Sequence, residues 1–346
     1  DVATVDGRTA RFDYYVSDDA AKGSGATLQD PVSFSTAMAA IAANEAITAA
    51  RPARILLTKD VSLGAASGYT ITKPIKIVSA TETPCAITFA RTIAGPCFTI
   101  GDASVGASGS LLLENARISG GGSSRPGAGA LVRVDVGSLT MASGSELSDN
   151  ATASLSGGAV SLTGDGALFT MNAGSIHDCS APSGGAVSVA AGQFVMAGGS
   201  IYSCAASSGS GGAIALSGGS FAMSGGVISD CSAYSGGAVF ASAGSAITLN
   251  GSAVIGRSGS PNKATSLAGS GGGGIALARG ASLTMSSGTI AYNESAALGG
   301  AIYAESGSSV TIVGGSVAAN ATVLRGGAVY AEGSVTMGSS GSSFAV

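Results

Sequence analysis

Three cysteines recur at nearly constant spacing, and their type makes them candidates for chemistry. Cys179, Cys204 and Cys231 follow one another after 25 and 27 residues. If each interval is one turn of a coil, their Cα atoms come within the about 4.4–6.8 Å that a disulfide spans. A thiol column of this kind could bind a metal or act as a redox pair. In-register side chains point the same way rather than toward each other, however, which favours small buried residues at an inward corner.

Acidic residues occupy the position just before that column. Asp149, Asp178 and Asp230 would lie on the wall of the coil, where acidic pairs bind calcium or serve polysaccharide-cleaving enzymes. Ser203 interrupts the column, and no Arg or Lys aligns with it. His177 is the one histidine, and no nucleophile and acid accompany it. We therefore expect solvated surface residues, and no catalysis.

An aromatic column follows a recurring Gly-Gly-Ala-Val or Gly-Gly-Ala-Ile element. It contains Phe240, Tyr303 and Tyr330, with Ala276 interrupting it. Tyr303 and Tyr330 should stack as outward neighbours. The strip is either a contact surface for sugars or proteins, or a set of cross-strand pairs that stabilises the fold.

Composition excludes several classes of protein. Of 346 residues 56 are Gly, only 10% are charged, and the mean hydropathy is +0.43, which is the opposite of an intrinsically disordered chain. The net charge is −4 without a basic patch, so we expect no nucleic-acid partner. No apolar run approaches the about 18 residues of a spanning helix, so we expect no membrane insertion.

Cysteine and histidine usage predicts no cofactor. The five cysteines form no Cys-x-x-Cys motif, and a zinc site is not expected. At least one thiol is unpaired in a monomer, and whether Cys85 and Cys97 are bridged stays open.

The feature that positions all these residues is an internal repeat. The Gly-Gly element begins at spacings of 27, 27, 25, 36, 27 and 27 residues, with an inserted loop near 256–265 in the long interval. Its first glycines are Gly157, Gly184, Gly211, Gly236, Gly272, Gly299 and Gly326.

Two further positions recur from repeat to repeat, and the number of residues between them is nearly constant. Constant spacing of this kind is typical of strands and tight corners. An apolar core ladder comprises Met141, Met171, Met196, Met223, Leu249, Met285, Ile312 and Met337. An inward structural ladder comprises Asn150, Cys179, Cys204, Cys231, Asn293 and Asn320, with Arg257 at the matching place in the long interval.

Three short strands in each 25–27 residues predict an all-β chain folded as a parallel β-helix, or β-solenoid. We expect three parts: an initial strand and capping helix over 1–53, irregular coils over 54–126 and regular coils over 127–346. The initial strand is Arg11–Val16, and the helix runs from an N-cap at Ser33 to about Ala50.

The repeat motifs resemble those of the polymorphic outer-membrane proteins. The clearest matches are Ile290–Asn293 with Gly299–Ile302, and Val317–Asn320 with Gly326–Val329. The resemblance covers roughly 127–337. It implies a right-handed β-helix in an exported, surface-displayed, non-catalytic, adhesin-like rod.

We therefore expect a secreted or surface-displayed structural protein that associates through the ends of its β-helix into homo-oligomers or filaments. A first residue of Asp rather than Met indicates an export signal that has been removed, or else a trimmed chain or a fragment of a longer protein. Candidate assembly residues are Phe12, Tyr14, Val16, Phe344 and Val346. Two alternatives remain: a module that binds glycans or host or matrix proteins, and a polysaccharide-cleaving enzyme.

Overall fold

Short segments in which buried and outward side chains alternate form the strands of this protein, and glycine-rich corners separate them. The computed structural model describes residues 2–5, 8–18, 22–64, 68–89, 93–122, 129–267 and 269–338. In these residues the chain is nearly all-β, and its parallel strands stack as a β-solenoid. We call one turn of the solenoid a coil.

Three long sheets form the walls, and all of their strand pairs are parallel. The twelve strands of sheet 1 are Asp13–Val16, Ala53–Leu57, Pro74–Ser79, Gly109–Glu114, Gly137–Met141, Ala167–Met171, Gln193–Met196, Ser220–Met223, Ala246–Leu249, Ser282–Met285, Ser309–Ile312 and Ser334–Met337. The ten strands of sheet 2 are Val61–Leu63, Cys85–Phe89, Ala116–Gly122, Glu146–Asn150, Ser175–His177, Ser200–Tyr202, Val227–Ser229, Val254–Ile255, Thr289–Ala291 and Ser316–Ala318. The ten strands of sheet 3 are Tyr69–Ile71, Phe98–Ile100, Val132–Val134, Val160–Leu162, Val187–Val189, Ile214–Leu216, Val239–Ala241, Ile275–Leu277, Ile302–Ala304 and Val329–Ala331.

A fourth, six-stranded sheet lies between sheets 2 and 3 in the later coils, and we call it the corner sheet. Its two-residue strands are Ser180–Ala181, Ala205–Ala206, Ser232–Ala233, Lys263–Ala264, Glu294–Ser295 and Ala321–Thr322. The prediction of three strands per coil is therefore incomplete for these coils.

Equivalent residues of successive coils stack directly on each other, and this register forms the core. Met171 pairs with Met141 and Met196, for example, and all three are fully buried. Beside them the rings of Phe169 and Phe194 stack with centroids 4.5 Å apart. The interior is thus a set of continuous apolar columns.

The repeated Gly-Gly element forms the corner before the last seven strands of sheet 3, from Val160–Leu162 onward. Gly184 has a φ of +60°, and a Cβ there would lie 2.3 Å from the carbonyl oxygen of Val187. A Cβ on Gly185 would lie 2.3 Å from the carbonyl oxygen of Gly212 in the next coil. Only glycine fits either place, which explains why the pair recurs.

The N-terminal end of the solenoid is closed by the chain itself. The strand Asp13–Val16 pairs with Ala53–Leu57 on one edge. On its other edge the Tyr15 amide donates to the Gly25 carbonyl (3.0 Å), and the Tyr15 carbonyl accepts from the Val32 amide (2.9 Å). Sheet 1 therefore has no open edge here.

A helix, Phe34–Ala43, completes this cap, and it begins as predicted at Ser33, whose side chain accepts from the Thr36 amide. It buries Phe34, Met38 and Ile41. It ends at Ala43, so the predicted end near Ala50 is wrong. Asn44 takes an extended conformation, and its side-chain amide donates to the Arg11 carbonyl (2.8 Å).

The residues Val2–Val5 and Arg8–Arg11 form a separate antiparallel pair. Within the described part of the chain this two-stranded sheet joins none of the solenoid sheets.

Candidate functional site

The inward polar ladder lies at the corner between sheet 2 and the corner sheet. Asn150, Cys179, Cys204, Cys231 and Asn293 are each at most 2% exposed. Asn320, in the last such corner that the structure describes, is partly exposed. The ladder is thus part of the core.

In the coil that contains the insertion, the member of the inward ladder is Asn262. The prediction of Arg257 at this position is wrong. Asn262 is fully buried, its Oδ1 accepts from the Cys231 amide (3.1 Å), and its Nδ2 donates to Asn293 Oδ1 (2.9 Å). Arg257 is exposed in a turn that closes on Ser260. The insertion displaced the rung by several residues, but the motif Asn262-Lys263-Ala264 matches Cys231-Ser232-Ala233 and could have revealed it.

Amide side chains bond from rung to rung at this corner. Asn293 donates from both its backbone amide and its Nδ2 to Asn320 Oδ1, each at 2.9 Å. Asn320 Nδ2 in turn donates to the carbonyl of Ile290 (2.9 Å). The polar groups of these buried residues are therefore satisfied within the protein.

The three stacked cysteines are thiols that donate to nearby carbonyls, for example from Cys204 Sγ to the Tyr202 oxygen at 3.2 Å. The neighbouring Cys204 thiol and burial raise the pKa of Cys179 well above its usual value. Burial raises the pKa of Cys204 in the same direction. Thiols with raised pKa values are poor nucleophiles. Cys85 and Cys97 are both buried, and no disulfide joins them.

The acidic column has a conformational explanation. Asp149, Asp178 and Asp230 have φ values of +57°, +52° and +55°, and Ser203 in the same column has +52°. Asp tolerates this left-handed region better than most residues. Asp230 also accepts from the Ser203 hydroxyl across one coil step (2.8 Å). These residues form the turn that directs the next side chain inward.

His177 lies in a small polar group on the outside of sheet 2. Its Nδ1 is 2.7 Å from Asp178 Oδ2, its Nε2 is 3.6 Å from Glu146 Oε1, and its ring stacks on Tyr202 at 4.8 Å. The Ser148 hydroxyl in the neighbouring coil is buried and donates to the Glu146 carboxylate (3.0 Å). The serine in register with the histidine is thus shielded and bonded elsewhere.

The aromatic column lies on the outer face of sheet 3. The rings of Tyr303 and Tyr330 stack with centroids 6.0 Å apart and planes 7° apart. Burial, followed by the charges of Glu332 and Glu305, raises the pKa of Tyr303. Phe240 is two coils away, in register with Ala276 and then Tyr303.

A groove of about 240 Å³ lies beside the rings of Phe240 and Tyr303. Residues that contribute to its lining include Phe240, Ala276, Tyr303, Tyr234, Ser270 and Glu305. Two aromatic rings, hydroxyl groups and a carboxylate therefore line the same groove.

The candidate assembly residues lie in two places. Phe12, Tyr14 and Val16 are at most 5% exposed in the core of the N-terminal cap, so the folded chain does not present them to a partner. Phe344 and Val346 lie outside the described residues.

The core ladder is buried from Met141 to Ile312, and it opens at its last rung. Met337 is 41% and Val335 is 38% exposed, whereas Ile312 and Val310 in the preceding coil are 1% exposed. Met337 is in register with Ile312, as the ladder predicts. Unlike the earlier members of the ladder, it is exposed, and the sequence pattern does not indicate this difference.

Comparison of the chain with protein-family models, with curated proteins and with solved structures finds no match in any of the three. In the described part of the chain, no three His, Cys, Asp or Glu side chains are grouped so that they could hold a metal ion. Among the same residues, no helix has both the length and the apolar character needed to span a membrane.

Proposed function

We propose that this protein is a non-catalytic structural rod of the cell exterior that associates end to end through its β-solenoid. The observation that carries this proposal is the difference between the two ends. The N-terminal end is closed by a strand, a loop and a helix. The last described coil leaves the core side chains Val335 and Met337 exposed and one edge of Ser334–Met337 open. Such an edge accepts further β-structure.

The partner that we propose for this edge is a second copy of the chain. Its Asp13–Val16 strand is bonded on both edges and cannot add to another sheet without opening the cap. The separate pair of Val2–Val5 and Arg8–Arg11 is the better candidate, because within the described residues it adds to no solenoid sheet. Head-to-tail contacts of this kind produce open filaments.

The proposal that the protein is non-catalytic is supported by the structural roles of the residues that could have been catalytic. The acidic column forms left-handed turns, the stacked thiols are buried, and Ser148 beside His177 is shielded. A location at the cell surface is supported by the resemblance of the repeats to those of the polymorphic outer-membrane proteins.

Sedimentation velocity over a range of concentrations tests the assembly. We expect the wild-type chain to form species larger than a monomer. Val335→Lys should keep the chain monomeric, because it places a charge where an added coil would bury an apolar side chain.

The matched control is Thr336→Lys, one residue further on the same strand. Thr336 continues the outward column of Thr284 and Thr311, so its replacement should leave assembly unchanged. A wild-type chain that stays monomeric at every concentration, or equal effects of the two lysines, would contradict the proposal.

A further inference from the structure

The outer column of sheet 3 lacks an aromatic ring at one position, Ala276. Ala215, Phe240, Ala276, Tyr303 and Tyr330 stand in register on successive coils. Phe240 and Tyr303 therefore stand on either side of a single methyl group. We propose that this gap is a binding slot for one sugar ring of a glycan.

The width of the gap favours a puckered ring over a flat one. Two coil steps of about 4.8 Å separate the positions of Phe240 and Tyr303 by roughly 9.6 Å. A flat group in contact with both walls needs two carbon contacts of about 3.5–4.0 Å, which is roughly 7–8 Å in total. A pyranose chair carries hydrogens on both faces and is thicker, so it fills the remaining space.

The base of the slot is covered. Ala276 is only 1% exposed, so the side chains around it shield its methyl group from solvent. A guest would therefore rest against the faces of the two rings, above the methyl group. Aromatic faces of this kind pack against the apolar C–H faces of a sugar.

The rim of the slot supplies hydrogen-bonding groups that suit sugar hydroxyls. Tyr234 is 49% exposed, and its hydroxyl both donates and accepts. Ser270 contributes a second hydroxyl group, which donates to the Ser266 hydroxyl (3.0 Å) and can still accept. Glu305 accepts from the Arg279 amide through Oε2 (3.1 Å), and its carboxylate has further lone pairs for a guest.

The insertion and the slot belong to the same coil. The long interval between Gly236 and Gly272 carries both the inserted loop and Ser270, and Ala276 follows it directly. The slot also lies on the side wall, so a rod could bind a glycan there while its ends assemble.

The test is saturation-transfer NMR with four probes: the methyl glycosides of glucose, galactose, mannose and N-acetylglucosamine at millimolar concentration. The Val335→Lys chain is used throughout, so that the result does not depend on assembly. We expect saturation transfer from the protein to at least one glycoside. Tyr303→Ala should weaken the binding of that glycoside by about tenfold.

The decisive variant is Ala276→Tyr, which places an aromatic ring in the slot between Phe240 and Tyr303. It should abolish binding and keep the fold, because Tyr303 and Tyr330 already stack at this position on adjacent coils. Its matched control is Ala215→Tyr, which adds a ring on the other side of Phe240 and leaves the slot empty. Transfer to none of the four glycosides, or equal binding by Ala276→Tyr and the control, would overturn the proposal.

Discussion

At the scale of single residues, the corner that carries the inward ladder combines two unusual features in six of the described coils. One residue takes a left-handed conformation, as Asp178 and Tyr292 do, and the next points a small polar or thiol side chain into the core. Buried polar groups are costly unless they are bonded. Asn262 and Asn293 meet this condition by bonding to each other and to neighbouring backbone groups.

Replacing Asn262 tests this role. Asn262→Ala would remove the acceptor of the Cys231 amide and the donor to Asn293 Oδ1 at this buried corner. We expect the free energy of unfolding to fall by about 1–3 kcal/mol, measured from the shift of the denaturant midpoint. The control is Arg257→Ala, which removes an exposed side chain from the same insertion and should change stability little. Equal effects of the two substitutions would contradict the ladder.

At the scale of elements, the N-terminal cap is held by an ion pair between adjacent strands of sheet 1. The Arg54 guanidinium donates to both oxygens of Asp13, with the Nε bond at 2.6 Å. Burial by itself raises the pKa of the Asp13 carboxyl, but hydrogen bonds and nearby positive charge, with Arg54 foremost, together outweigh it and hold the pKa below its usual value.

The stability of the cap should therefore depend on acid. Because the folded-state pKa is lowered, the stabilisation is complete above the unfolded value of about 3.9 and is lost as the pH falls through the folded value. Asp13→Asn should cost about 1 kcal/mol at pH 7, since Arg54 is half exposed, and the difference from wild type should shrink below about pH 4.

The control for this measurement is Asp18→Asn. Asp18 pairs with Lys59 at the other end of the same two strands, where both side chains are more exposed. Thermal unfolding at pH 3, 5 and 7 compares the variants, and Asp18→Asn should have less effect at pH 7. A cost of Asp13→Asn that is the same at every pH would contradict the ion pair.

The period of the repeat is enough to predict the parallel sheets. Equivalent residues such as Met171 and Met196 are one coil apart in sequence, so they pair in register on neighbouring parallel strands. The period could not predict the corner sheet, since two-residue strands such as Ala205–Ala206 have no alternation to detect. The period alone could not find Asn262 either, because the insertion changed its distance from the next Gly-Gly element, although the local motif Asn262-Lys263-Ala264 marks it. The gap at Ala276 was visible as an interruption, but the groove and its rim depend on residues that meet only in the fold, such as Tyr234 and Glu305.

At the scale of the whole molecule, each coil rests on its two neighbours, so stability and shape build up along one direction. A stack of this kind needs protection at its ends. Here one end is capped by Phe34–Ala43, whereas Ser334–Met337 shows an open edge in the described residues. We therefore propose that assembly takes place at the ends of the solenoid and ligand binding on its wall.

Electron microscopy of the purified wild-type chain shows directly whether the protein assembles end to end. Eleven strands of sheet 1 from Ala53 onward, at about 4.8 Å each, make a rod roughly 50 Å long. We predict straight particles of one width whose lengths are multiples of this unit, and single units only for Val335→Lys. Uniform particles of one unit length in concentrated wild-type samples would contradict this prediction.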